Sequence, residues 1–249
     1  MKLYPLMLAA GLALAHPAQS QAASLLNAFE FWSDFSDAVG TATASSTGGT
    51  VTAGELVFSA NGGPRIDLPS QIKTFTLAMK FRLDTTAGKT KLLDFRTLAS
   101  DGGLYNQNSS LVFFDTQPPT ATGLLTANKD HVLVFNRNDS SKLVDIYLDG
   151  SRVISFLDPT GMTIGYQGHI HVLEDDKTTS KTQAVSGVLD YVRIYDAALS
   201  PTQIATIGLP QEPIPPVAPV PLPAPLALLA GALGLLPLLR WLGRPGTSA

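Results

Sequence analysis

The carboxylates of this chain are the residues whose chemistry can be tested most directly against their spacing. Hydrolysis of a glycosidic bond uses two carboxyl groups, one as acid and one as nucleophile or base, held on one face of the substrate site. The chain has four glutamates, none with a suitably spaced acidic partner: Glu30, Glu55, Glu174 and Glu212. The consecutive side chains of Glu174, Asp175 and Asp176 diverge, so we interpret this run as a solvated loop. We therefore expect no catalytic residues and no enzymatic activity.

Asp190 is the acidic residue with the most informative sequence context. It shares one face of an alternating segment with Val192 and Ile194, which predicts that its carboxylate points toward the core. A buried carboxylate needs hydrogen bonds or a cation. Backbone N–H groups near the N-terminal strand are the first interpretation, and a calcium ion is the second. Calcium takes hard oxygen ligands from loops, and Asp34 and Asp37 would then be its other ligands.

His169 and His171 are two residues apart and share a face of a predicted strand. A zinc or nickel site needs more ligands than this pair supplies, and the surrounding sequence offers none. We therefore interpret the two histidines as a surface pair, and calcium is the only cofactor considered for the chain.

The segment 101–108 mixes turn residues with an aromatic side chain, Tyr105, and with the amides of Asn106 and Asn108. A loop of this composition can stack a sugar ring on the tyrosine and hydrogen-bond it through the amides. An ordinary polar connection between strands is the alternative. These three residues are the candidate ligand site.

The elements that would position these side chains are strands. Apolar and polar residues alternate strictly from Phe75 to Leu83, and again at Val144, Ile146 and Leu148. The second run leads into Asp149-Gly150, a pair that favours a two-residue hairpin turn with positive φ. Many short strands and little helix predict an all-β fold, a jelly-roll β-sandwich.

One short helix is predicted after the last strand. Ser200 and Gln203 have the spacing of a capping box, and Pro201 occupies the first helical position. The helix should end at Ile207, before Gly208 and Pro210.

Composition excludes several classes of function. The chain has no cysteine, which excludes disulfides, thiolate nucleophiles and cysteine metal sites. Its formal net charge is −3 and it has no block of lysine and arginine, so no nucleic-acid partner is expected.

The apolar residues are concentrated at the two ends, which divides the chain into four segments. Residues 1–23 have the basic start, short apolar run and small residues of a signal peptide. Residues 24–208 form the globular domain, and the proline-rich segment 209–221 is an extended spacer. The uncharged run that follows is long enough to span a bilayer, and the basic residues after it make 222–244 a predicted transmembrane anchor with a cytoplasmic end.

The C-terminal segment resembles the PEP-CTERM sorting signal of Gram-negative bacteria. The resemblance rests on Val220, Pro221 and Pro223 before the apolar run and on Arg240 and Arg244 after it. It implies an exosortase as a processing partner. It further implies an exported protein that is anchored in the membrane facing the periplasm, or displayed at the cell surface or in the extracellular matrix.

The globular domain resembles the LamG-like jelly rolls of the concanavalin A-like lectin/glucanase superfamily. The residues that carry the resemblance are 187–200, which match the closing strand of that fold, and the hairpin 144–150. The segments 58–69 and 75–81 match its edge and core strands in order and spacing. The resemblance specifies the fold and implies a calcium site in many members.

These observations lead to a prediction of function. The domain is expected to bind carbohydrate or another extracellular-matrix component, with a polysaccharide as partner. The alternative is a structural or adhesive surface protein that acts through protein–protein contacts. Because no paired carboxylates were found, a glycoside hydrolase ranks last.

Overall fold

The computed structural model describes residues 23–114, 116 and 118–207. The predicted signal peptide, spacer, anchor and sorting-signal residues (Val220, Pro221, Pro223, Arg240 and Arg244) therefore lie outside the described residues, apart from position 23. Within the described part of the chain, no helix has the length and apolar character needed to cross a membrane.

The described domain is built from strands, with one short helix at its end, α1 (Pro201–Ile207). The strands in chain order are β1 (Leu25–Phe29), β2 (Thr43–Ser45), β3 (Gly49–Thr52), β4 (Glu55–Phe58), β5 (Arg65–Asp67), β6 (Phe75–Leu83), β7 (Lys89–Asp94), β8 (Leu104–Gln107), β9 (Ser110–Phe113), β10 (His131–Asn138), β11 (Leu143–Leu148), β12 (Ser151–Leu157), β13 (His169–Val172) and β14 (Gly187–Tyr195).

The strands form two antiparallel sheets. The first has the order β12-β11-β10-β6-β14-β4-β3, with β1 also paired to β14. The second has the order β2-β5-β13-β7-β8-β9. Non-consecutive neighbours in both sheets are typical of a jelly-roll sandwich, and the predicted all-β fold class is confirmed.

Aromatic side chains from both sheets meet in the core. Phe135 of the first sheet lies 4.8 Å from Phe95, which follows β7 of the second sheet, between ring centroids. Phe113 of the second sheet and Phe156 of the first are also 4.8 Å apart. All four rings are buried. The two sheets are therefore joined by packed apolar surface, as a sandwich without disulfides requires.

The helix α1 covers the outer face of the first sheet. Its buried residues Ile204 and Ile207 pack with Ala78, Val134 and Tyr147 of that sheet. The capping box is confirmed, because Gln203 N–H donates to Ser200 Oγ at 3.4 Å and the Gln203 side chain accepts from Ser200 N–H at 2.9 Å. The cap therefore holds an amphipathic helix against the sheet.

The predicted hairpin turn is present between β11 and β12. Asp149 and Gly150 have φ values of 49° and 80°, as a type I′ turn requires. The Asp149 carboxylate accepts a hydrogen bond from Val132 N–H at 2.8 Å, which ties the turn to β10.

Asp190 does not point into the core, and that part of the sequence prediction is wrong. A β-bulge interrupts the pairing of β14 with β6 between Leu189 and Tyr191. The extra residue reverses the alternation at this point, so Leu189 is buried while the Asp190 side chain is 32% exposed. Asp190 forms a 2.5 Å ion pair with Lys80 on the surface of the first sheet.

Candidate functional site: a cleft on the second sheet

A loop crosses the face of the second sheet that is turned away from the core. We call residues 173–183 the strap. Leu173 N–H donates to Leu92 O at 3.0 Å at one end, and Lys91 N–H donates to Gln183 O at 3.0 Å at the other. Asn61 holds the middle, since its side chain accepts from Asp175 N–H and donates to Lys181 O.

The strap covers a buried group of charged residues. Lys91 Nζ lies 2.7 Å from Asp94 Oδ2 and 2.7 Å from Asp176 Oδ2, and all three side chains are fully buried. Tyr105 donates its hydroxyl to Asp176 at 3.0 Å. Burial would raise the pKa of Asp176, but hydrogen bonds from Lys91, Thr178 and Tyr105 hold that pKa well below its usual range.

The prediction of a solvated loop at 174–176 is therefore wrong. Asp175 and Asp176 are fully buried, and the Glu174 side chain is 13% exposed. Consecutive side chains do diverge here, but each diverging carboxylate meets its own donors beneath or beside the strap. Asp175 accepts from Thr179 Oγ1 and from Gln183 N–H, whereas Glu174 accepts from Lys181.

The sugar-stacking loop predicted at 101–108 must also be corrected. Tyr105 and Asn106 belong to β8 and are fully buried. Lys89 Nζ lies 4.3 Å from the centroid of the Tyr105 ring, and burial together with Asp176 raises the tyrosine pKa. Asn108 is exposed in the turn between β8 and β9, and its side chain accepts from the N–H of Gly88, just before β7. The tyrosine ring therefore has no face free for a sugar.

The three predicted calcium ligands have separate local roles. Both oxygens of Asp37 accept hydrogen bonds from its own loop and from β1, including Ala28 N–H at 2.9 Å. Asp34 accepts from Ser36 N–H, and Asp190 pairs with Lys80. Among residues 23–114, 116 and 118–207, no three His, Cys, Asp or Glu side chains are grouped as metal ligands. Calcium binding stays a prediction.

A polar cleft of about 330 Å³ lies beside the strap. Its walls come from β2, β5 and β13, from the loop after β7 and from the strap. The lining residues are Ser45, Ser46, Thr47, Gly63, Arg65, Thr97, Leu98, His169, His171, Glu174, Lys177 and Lys181.

The two histidines predicted as a surface pair both line this cleft, and each has a carboxylate partner. His169 Nδ1 lies 2.5 Å from Asp67 Oδ1, across the register of β13 and β5. His171 Nδ1 lies 2.8 Å from Glu174 Oε2 at the start of the strap. The cleft therefore contains two imidazoles whose orientation is fixed by carboxylates.

Both of these carboxylates are held in the ionised form. Burial would raise the pKa of Asp67, but hydrogen bonds from Arg65 and His169 lower it below the usual value. Burial acts in the same direction on Glu174, and hydrogen bonds from His171 and Lys181 lower its pKa overall. Neither group is available as a proton donor near neutral pH.

One wall of the cleft has a strained backbone. Thr97 and Leu98 have φ values of 57° and 59°, in the left-handed region that β-branched and other bulky side chains rarely adopt. Asp94 compensates, because its Oδ1 accepts from Arg96 N–H and Leu98 N–H. Strain of this kind persists where the surroundings enforce it, and it often marks a functional site.

Sequence reasoning found the histidines but missed the basic residues of the cleft. Arg65 alternates with Asp67 on a three-residue strand, which is too short to be recognised by periodicity. Lys177 and Lys181 lie in a strap without regular pattern, and no local signal indicates that it folds over β7 and β8.

Comparison with known proteins supports the fold. A family model described as the concanavalin A-like lectin/glucanases superfamily matches residues 29–205. No protein of curated function matches the sequence.

The fold also matches solved structures. Trypanosoma rangeli sialidase in complex with 2,3-difluoro-KDN has 17% identity and a TM-score of 0.59, over 74% of this chain and 32% of the sialidase chain. Domain 4 of AbnA, a GH43 extracellular arabinanase from Geobacillus stearothermophilus in complex with arabinotriose, has 14% identity and a TM-score of 0.55, over 75% of this chain and 99% of that domain. The chain thus corresponds to about a third of the sialidase's length.

This comparison corrects the predicted function. The sequence favoured a tethered surface protein that binds carbohydrate or matrix, had an adhesive protein as its alternative and placed glycoside hydrolases last. The two structures described above are instead a glycoside hydrolase and a domain of one. The prediction that ranked glycoside hydrolysis below carbohydrate-binding and adhesive roles at the cell surface is therefore wrong.

Proposed function

Because the chain belongs to the concanavalin A-like lectin/glucanase superfamily, we propose that its described domain serves the enzymatic hydrolysis of glycosides. In this proposal the domain is an ancillary module of a hydrolytic system. It holds the glycoside substrate while a separate catalytic domain or protein cleaves it.

The cleft beside the strap is the observation that carries this proposal. Its volume of about 330 Å³ is in the range of small-ligand sites. Hydroxyl, imidazole and charged groups line it, and these can exchange hydrogen bonds with the hydroxyls of a sugar. The arabinanase domain that shares the fold was solved with arabinotriose, which supports an oligosaccharide as the occupant.

The charge states of the cleft support a non-catalytic role within hydrolysis. A glycosidase needs one carboxyl group with a raised pKa to protonate the leaving oxygen. The carboxylates at this cleft, Asp67 and Glu174, have lowered pKa values instead. We accordingly retain the proposal that the chain itself is not an enzyme. Export and exosortase processing concern residues outside the described part and stay predictions.

The experiment distinguishes binding of the substrate from its cleavage. The full chain is incubated with a panel of neutral and acidic oligosaccharides, while binding is measured by calorimetry and cleavage by release of reducing ends. We expect binding without cleavage. Ser45→Trp, which places a large ring in the cleft, should weaken binding by about tenfold or more, equivalent to one or two lost contacts.

Ser155→Trp is the matched control, because Ser155 is also an exposed serine on an edge strand, β12 of the first sheet. It should bind like the unmodified chain. Cleavage of any glycoside by the purified chain would contradict the ancillary role. Equal binding by the two tryptophan variants would remove the cleft from the proposal.

A further inference from the structure

The cleft has more basic than acidic side chains. Arg65, Lys177 and Lys181 line it, and Glu174 is the only acidic residue of the lining. Asp67 lies beside the cleft, bonded to Arg65 Nε at 2.7 Å. Counting both carboxylates, the cations are in excess even with both histidines neutral.

The excess charge can be assigned to particular atoms. Lys181 is neutralised by Glu174 at 2.9 Å. Lys177 has no side-chain hydrogen bond or ion pair with any described residue, and its backbone N–H is fixed to Leu98 O at the wall. An exposed lysine whose backbone is anchored at the edge of a cleft provides an uncompensated positive charge there.

Arg65 also has unused hydrogen-bonding capacity. Its Nε donates to Asp67, and its Nη2 lies 3.5 Å from His169 Nδ1. That imidazole nitrogen is 2.5 Å from the ionised Asp67, so it must carry the proton and donate to the carboxylate. It cannot accept from Arg65 as well. The end of the guanidinium formed by Nη1 and Nη2 is therefore without an acceptor among the described residues.

Hydroxyl groups lie beside Arg65, since Ser45 is its cross-strand partner in the pairing of β2 with β5. Ser45 and Thr47 line the cleft, and neither hydroxyl bonds to a described residue. The planar end of a guanidinium matches the geometry of a carboxylate, and a lysine adds positive charge without requiring a particular direction of approach. Hydroxyl groups can hydrogen-bond the hydroxyls of a sugar ring.

From these contacts we propose that the cleft selects a sugar unit that bears a carboxylate, held by the free end of Arg65 and by Lys177, over its neutral counterpart. This inference rests on the proposed function, since it names the substrate class of the same site. A uronic acid and a sialic acid have the same recognised group, a carboxylate on a hydroxylated ring.

The test compares three probes on the full chain by calorimetry. Trigalacturonate carries one carboxylate per sugar, its methyl ester has the same sugars without charge, and a carrageenan tetrasaccharide carries sulfate and no carboxylate. We expect trigalacturonate to bind at least about fivefold more tightly than its ester, an effect that should shrink as salt is added.

Two variants test whether Arg65 and Lys177 cause the preference for the acid. Lys177→Gln and Arg65→Gln should each reduce the preference for acid over ester severalfold, because each should weaken binding of the acid more than binding of the ester. Lys129→Gln is the matched control, because Lys129 is another exposed lysine without a described side-chain partner. Its preference should equal that of the unmodified chain. The Lys177 side chain forms no hydrogen bond or ion pair with a described residue, so its variant stays informative if Arg65→Gln fails to fold.

The possible outcomes distinguish this inference from the proposed function on which it rests. The inference is supported if the chain binds the acid more tightly than the ester and if both variants reduce that preference. If acid and ester bind equally and Ser45→Trp blocks both, the acidic specificity is overturned. The proposed role in binding the substrate then remains. A stronger response to the sulfated probe overturns the carboxylate assignment. If none of these probes and none of the neutral oligosaccharides binds, both the acidic specificity and the proposed function are overturned.

Discussion

At the scale of single residues, the partners of a carboxylate decide its chemistry more than its position in the sequence does. Asp175 and Asp176 are adjacent, yet Asp176 accepts from Lys91 and Tyr105, while Asp175 accepts from the strap itself. Asp190 has alternating apolar neighbours but lies on the surface, because a bulge turns it there. A carboxylate in this protein is therefore structural or accessible according to which donors the fold brings to it.

Asp176→Asn should destabilise the domain. Asp94 still pairs with the buried Lys91, but the amide is a weaker acceptor than the carboxylate for Lys91 and Tyr105, so we expect a loss of about 2 kcal/mol in the free energy of unfolding. Because the pKa of Asp176 is lowered in the folded protein, its contribution is present above the unfolded pKa, about 3.9, and is lost as the pH falls toward the folded pKa. Urea unfolding at a series of pH values measures both effects.

The same series should show a shallower loss of stability below about pH 4 in the variant than in the unmodified chain, since the variant has no such carboxylate to protonate. Asp190→Asn is the control and should change stability by less than about 1 kcal/mol, because its pair with Lys80 is partly exposed. A similar cost for the two substitutions would show that the buried network contributes little.

At the scale of elements, short local signals govern the ends and turns of this fold. The capping box at Ser200 and the positive φ values of Asp149 and Gly150 both appear where their sequence patterns predict them. Each depends on residues within a few positions of one another, so tertiary contacts change these features little. The strap differs, because it has no regular structure and is held by contacts with β7, β8 and Asn61.

Ser200→Ala should lower stability by about 1 kcal/mol, because it removes the side-chain oxygen that accepts from Gln203 N–H at the start of α1. Thermal unfolding followed by circular dichroism measures the change. Thr202→Ala is the control on the same first turn, where the threonine is exposed and makes no cap. An equal effect of the two would mean that helix propensity, and not capping, is what the serine provides.

At the scale of the whole molecule, one aromatic and aliphatic core joins the two sheets and supports the cleft on the outer side of one of them. The predicted division of the chain implies that residues 24–208 contain everything this sandwich needs. The matched family model covers 29–205, and the boundaries at 24 and 208 stay a prediction.

A fragment of residues 24–208 should therefore fold by itself. We expect a far-ultraviolet circular dichroism spectrum of β type, with only the seven residues of α1 adding helix, and one cooperative unfolding transition. The full chain is the reference for the transition temperature. A disordered or strongly helical spectrum of the fragment would contradict the proposed boundaries.

The sequence by itself determined those features that depend on near neighbours. Alternation over β6 and β11 predicted the strands, because a sheet with one buried face imposes a period of two on its own residues. The Asp-Gly turn and the capping box followed for the same reason. The all-β class and the family resemblance are consequences of several such segments in order.

The tertiary structure alone decided the site. Asp67 and His169 are 102 residues apart, and Tyr105 and Asp176 are 71 apart, so no local pattern indicates that they meet. It also moved Tyr105 inside, because the strap covers β8, and it turned Asp190 outward, because one extra residue in β14 reverses the face of the side chains. Burial and ionic pairing across such distances are set by how the strands associate, which the spacing of residues along the chain does not contain.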